Sequence, residues 1–145
     1  MAQNKGAGKK NRMQEGFRCG MVLESIYGIF IFLVCFIFAK PLMCLFVQDE
    51  EVIMHGVTYL HLISIMYILP AFTNGIQGFF RGIGDLKITL ISSLVNMTVR
   101  VIVAAPLVFS LHLGIEALPY SYLAGWIGML MAELPLLIRT YKAYE

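Results

Sequence analysis

Apolar residues dominate four stretches of the chain, near 19–39, 52–80, 86–111 and 114–138. Each reaches the roughly 20 residues that an α-helix needs to cross about 30 Å of hydrocarbon. The polar positions fall between them: an acidic turn from Gln48 to Glu51, a Gly-rich basic turn from Arg81 to Lys87, and a short turn from Leu111 to Gly114. Lys40-Pro41 interrupts the first run, so Leu42 to Val47 is expected to form a bend or an interfacial piece. The pattern predicts an all-α integral membrane fold. Residues 1–18 form a basic segment and residues 19–145 a domain of four transmembrane helices.

Composition supports that reading. The 145 residues are 59% hydrophobic and 14% charged, with mean hydropathy +0.76. A soluble chain of this length has too little interior to hide so many large apolar side chains, whereas a bilayer accepts them on the outside. Charge then sets the direction. Five of the eleven Lys and Arg residues precede the first long apolar run, which is longer than the core of a signal peptide and should remain as a span. With Arg81, Lys87, Arg139 and Lys142, nine basic residues alternate with the lone Lys40 on the opposite side. Basic loops stay in the cytoplasm, so four crossings place both termini inside, in the inner (plasma) membrane. The bilayer is the expected environment, and no nucleic acid is expected as a partner. Cys19, Cys35 and Cys44 match neither a zinc nor a disulfide spacing and are read as packing residues.

Polar residues inside the spans need a partner, a cavity or a route to the interface. In the third span Thr89, Ser92, Asn96 and Arg100 recur every three or four residues, one stripe along one face. Arg100 lies roughly 20 Å of helix from Lys87, near mid-membrane. The stripe either walls a cavity, touching substrate or relaying conformational change, or bonds helices together. In the second span Tyr67, Pro70, Asn74 and Gln77 share a face, beside the small residues Ala71, Gly75, Gly78 and Gly82. Pro70 frees a backbone carbonyl and is expected to bend its helix, as a hinge or as a harmless kink. Tyr67, Asn74, Gln77, Asn96 and Arg100 are thus the candidate cavity residues. Two carboxylates complete the set. Glu24 shares a face with Gly20 and Gly28, so a neighbouring backbone could approach it closely. Glu133, near Arg139, is expected to find an ion pair or water. Ala124, Gly128 and Ala132 form a small-residue ridge that should seat another helix, and Trp126 is read as packing.

His55, His61 and His112 do not share a face, so no metal site is expected. There is no nucleophile elbow, phosphate loop, HExxH or dinucleotide fingerprint. An enzyme is not expected.

Two segments carry a resemblance: Ala2-Gln3-Asn4-Lys5-Gly6-Ala7-Gly8-Lys9, and Phe80-Arg81-Gly82-Ile83-Gly84-Asp85. With four spans and an Arg-bearing helix after the second segment, the chain resembles the multidrug and toxic compound extrusion (MATE) family. The likeness implies spans nine to twelve of twelve, part of the second six-helix lobe. It implies for the intact parent a sodium- or proton-coupled antiporter exporting cationic or amphiphilic compounds by alternating access. No organic cofactor is implied. The coupling ion is expected to bind outside this chain, because residues 52–80 hold no Asp or Glu and Pro70 lies about where some members place an acidic ligand. The missing helices or N-terminal lobe are expected partners. Met1 stands where the first motif begins, as expected of a truncated frame or an internal start. The chain alone is expected to be inactive and poorly stable, with the Ala124/Gly128/Ala132 and Asn96/Arg100 faces awaiting other helices.

Three alternatives stand beside this reading. One is a self-contained four-span homodimeric exporter in which Glu24 binds proton and drug. Another is a relative of the lipid-linked oligosaccharide flippases, which would favour a positively lined cavity. The third is a non-transporting membrane scaffold.

Overall fold

The computed structural model describes residues 2–143, so Met1, Tyr144 and Glu145 lie outside the described residues. It is all helix, with no strand among the described residues. In chain order the elements are α1 (Ala2–Gly6), α2 (Lys10–Ile37), α3 (Ala39–Cys44), α4 (Glu50–Met66), α5 (Ile68–Gly82), α6 (Leu86–Phe109) and α7 (Ala117–Ala143). Three of them, α2, α6 and α7, are each long and apolar enough to cross a membrane. The pair α4–α5 also qualifies when taken together, bent by 48° at its break, which makes up to four spans.

The break has a local cause. Pro70 is the third residue of α5 and has no N–H to return to the carbonyl four residues back, so the helix ladder is interrupted across Tyr67. Pro41 likewise sits in the first turn of α3, where a missing N–H costs little, and α3 is the short piece expected after the first span. At the start of α4 the Asp49 carboxylate accepts from the backbone N–H of Glu51 at 2.9 Å and of Val52 at 3.1 Å. Glu50 and Glu51 then lie in the first turn, where the helix dipole favours negative charge.

Both sequence motifs end helices in the same way. Gly8 (φ 65°) and Gly84 (φ 84°) adopt the left-handed conformation just past α1 and α5. At α1, Lys9 N–H bonds to Asn4 C=O at 2.9 Å and Gly8 N–H to Lys5 C=O at 3.0 Å. At α5, Asp85 N–H bonds to Phe80 C=O at 2.9 Å and Gly84 N–H to Arg81 C=O at 3.1 Å. This paired capping pattern needs a residue that tolerates positive φ, and glycine does. The two motifs also meet: the Lys5 ammonium donates to the Ile83 carbonyl, 78 positions away.

Residues 1–18 therefore depart from the expected basic lead-in. Residues 2–6 and 10–18 are helical, and α2 begins at Lys10 rather than at Cys19. Met13, on that extension, is buried with Ile76, Phe79, Phe80 and Ile83 in the main apolar cluster, which Phe17, Ile88, Leu130 and Leu137 flank. Burial of Met13 and Phe17 is what holds this polar stretch against α5. The expected turn at Leu111 to Gly114 is longer than predicted, spanning 110–116 between α6 and α7. The cysteines are free thiols, and Cys19 and Cys44 are exposed rather than packed.

Candidate functional site

Chain folding brings the predicted residues into three places. The first is a groove of about 660 Å³ between α2 and α5. Farther along the same pair the helices touch closely: a Cβ on Gly28 would lie 3.0 Å from the Ala71 Cβ, and Met21 fills the space beside Gly75. Toward the capped end of α5, Gly20 and Gly78 have nothing within 4 Å of an added Cβ, and the space they leave is the groove. Glu24, Tyr27, Asn74 and Arg81 line it. Glu24 is half-buried and Asn74 exposed, so an acid, an amide, a phenol and a guanidinium face one open space. Such a wall can bind an amphiphile bearing positive charge through Glu24 and its apolar body through Leu23 and Phe79. Tyr27 did not stand out in the sequence, although it lies one turn from Glu24 and could have been read from that spacing, and Arg81 stood out as part of the basic turn and its motif, not as a groove residue.

The second place is the contact of α5, α6 and α7. Gln77, predicted to line a cavity with Asn74, is buried instead. Its Nε2 donates to Ser92 Oγ at 3.3 Å and to Glu133 Oε1 at 3.2 Å. Glu133 is 0% exposed, so it is not open to solvent, contrary to the expectation for a carboxylate near the boundary. Arg139, the expected ionic partner, is exposed, and a neutral amide takes its place. The reason is helix phase: Glu133 falls on the face of α7 that meets α5 and α6, while Arg139 falls on the outer face.

The third place is the remainder of the α6 stripe. Arg100 lays its guanidinium over the Tyr122 ring of α7, 3.4 Å from the centroid. A Cβ on Gly125 would come within 2.5 Å of Arg100 Cγ, so the arginine stem lies directly on that glycine. Asn96 Nδ2 reaches Met129 Sδ at 3.6 Å, and Gly128 packs on Val99. The small-residue ridge of α7 thus seats α6 itself. The faces of Asn96/Arg100 and of Ala124/Gly128/Ala132, expected to await other helices, meet each other. Trp126 packs beside Tyr122, with ring centroids 5.6 Å apart. Tyr67 and Pro70 lie at the α4–α5 break, both half-buried. His61 stacks on Phe36 and reaches its carbonyl at 3.1 Å. No cluster of three His, Cys, Asp or Glu side chains suited to a metal occurs among the described residues.

Long apolar helices that join some of their internal polar groups across helices, as Gln77 and Glu133 do, and gather others along one groove define a multi-pass membrane protein. Within that class the chain belongs to the MatE family, whose model matches residues 1–107. Over 126 residues it is 25% identical to the "probable multidrug resistance protein NorM" of Thermotoga maritima, covering 86% of this chain and 26% of that protein. The chain spans about a quarter of that relative's length. No solved structure matches it.

Proposed function

We propose that these helices are part of a multidrug or toxin efflux transporter, a cation-coupled antiporter working by alternating access, and that they do not transport on their own. The family match over residues 1–107 carries the reading. The α2–α5 groove supports it physically. A groove bearing Glu24 and Asn74 between membrane helices is costly against lipid tails and must face water, substrate or further protein. The further helices of the transporter are the partners that would complete it, and a cationic or amphiphilic compound is the substrate class suited to Glu24. The flippase alternative loses support, because the Arg100 guanidinium is covered by Tyr122 rather than set in a positively lined cavity.

The test is dye efflux in cells lacking their own drug pumps. Expression of residues 1–145 alone should leave ethidium accumulation unchanged, and a gain in efflux would overturn the partial-transporter reading in favour of the homodimer. The location we propose is the inner membrane with both termini cytoplasmic, from the basic bias of the N-terminal segment, the Arg81–Lys87 turn and the tail. In a cysteine-free background, single cysteines at Gln48 and His112 should react with an impermeant thiol reagent from outside, and one at Asp85 only after permeabilisation.

A further inference from the structure

The Gln77–Ser92–Glu133 contact leaves one group unaccounted for. Among the described residues Glu133 Oε2 is buried and has no hydrogen-bond partner, and neither has Thr89 Oγ1, one turn before Ser92 on α6. The donors nearby are already committed. The Ser92 hydroxyl has one proton to divide between the Thr89 carbonyl at 3.2 Å and the Glu133 carboxylate, and the two protons of the Gln77 amide nitrogen serve Ser92 Oγ and Glu133 Oε1. An ionised carboxylate has about four lone-pair sites to satisfy, and here it would accept at most one N–H bond from Gln77 and one O–H bond from Ser92. A charge so placed costs several kcal/mol unless something neutralises it.

Among the described residues no cationic side chain of the packed helices does so. On α5 the nearest base along the chain is Arg81, which is exposed, and Gln77 is the α5 group that faces Glu133. On α6 Lys87 is exposed and Arg100 is held on Tyr122, leaving Ser92 and Thr89 at this level. On α7 Arg139 and Lys142 are exposed. From α2, Met13 and Phe17 bring only apolar surface to the adjoining cluster.

We propose that Glu133 is a binding site for one monovalent cation, a proton or an alkali-metal ion, taken up at Oε2 between α5, α6 and α7. The groups that meet offer hard oxygens, from the Glu133 carboxylate and Ser92 Oγ, with the Gln77 amide able to turn its oxygen inward, and Thr89 Oγ1 is a further buried, unpartnered oxygen one turn away on α6. A single carboxylate among neutral oxygens suits a single positive charge. The proposal stands on this geometry alone and does not depend on the transport reading.

Infrared difference spectroscopy of the whole chain in lipid nanodiscs tests it, comparing wild type with Glu133→Gln. The expected result is a carboxylic-acid C=O band, absent in the variant, that disappears as buffer is taken from mildly acidic to mildly alkaline. At fixed pH it should also disappear when sodium chloride replaces choline chloride. A band that follows pH but ignores sodium, potassium and lithium identifies the proton as the cation. A band constant across pH and salt, or no band in any condition, overturns the site. Should the variant fail to insert, wild-type chain carrying carbon-13 in the glutamate side-chain carboxyls supplies the assignment, Glu133 being the fully buried glutamate among the described residues.

Discussion

At the residue scale, Gln77, bonded to a neighbouring helix, and Asn74, left on the groove, stand in two different environments and should respond differently to mutation. Gln77 is the donor to Glu133, so Gln77→Leu removes that bond and leaves a buried carboxyl poorer still. The expected loss is about 1–3 kcal/mol. Asn74→Leu, one turn away on the exposed groove wall, should change stability by less than about 0.5 kcal/mol. Unfolding in detergent, followed by tryptophan fluorescence from Trp126, compares them, and equal losses would mean that the Gln77 bond contributes nothing particular. Arg100 teaches a related lesson. Its place in a stripe of Thr89, Ser92 and Asn96 could be read from spacing, but its partner is an aromatic ring on another helix. A guanidinium above a ring face is attracted by the ring's quadrupole and desolvated without an acid. No spacing within α6 announces Tyr122.

At the scale of elements, α4 and α5 show how one residue shapes a span. The apolar run from 52 to 80 reads as one long helix with a proline in it, and the structure resolves it into two helices bent by 48°. Pro70→Ala returns an N–H to the ladder, so the bend should shrink and spin labels at Thr58 and Gly78 should move apart. An unchanged distance would show that packing against α2, rather than the missing bond, holds the bend. The capped ends follow a second local rule. The Gly-Ile-Gly turn was legible as a turn, and Gly8 as part of a motif. Both serve one capping geometry through bonds local to each helix end, whereas the reach of Lys5 to the Ile83 carbonyl emerges only when α1 folds back on α5.

For the whole molecule, exposure decides what must lie outside it. Only 6% of the most apolar window of α2 is buried and 11% of that of α6, against 22% for α7, so α7 is the most enclosed of these spans. The open faces of α2 and α6, with residues such as Ile26, Phe30, Leu94 and Val101, are apolar and suit lipid. The groove is the exception. A cysteine at Gly78 in the chain alone should therefore react with a water-soluble thiol reagent in membranes, whereas one at Leu94 should not. Equal protection of both would mean that lipid or another copy of the chain already fills the groove. The expected weakness of the isolated chain thus attaches to the groove rather than to the Asn96/Arg100 face, which α7 covers.

Hydrophobic run length and the positions of proline, glycine and charge determined the helical membrane class, the approximate spans, the bend and the turns. These are local properties: a run is apolar, and a ladder loses an N–H, whatever the rest of the chain does. Tertiary structure decided which polar residues meet. Glu133 lies 56 residues from Gln77, and its burial depends on how α5, α6 and α7 are rotated about their own axes. That rotation is set by side-chain fit, such as the Arg100 stem on Gly125 and Val99 on Gly128, which no periodicity within a single helix contains.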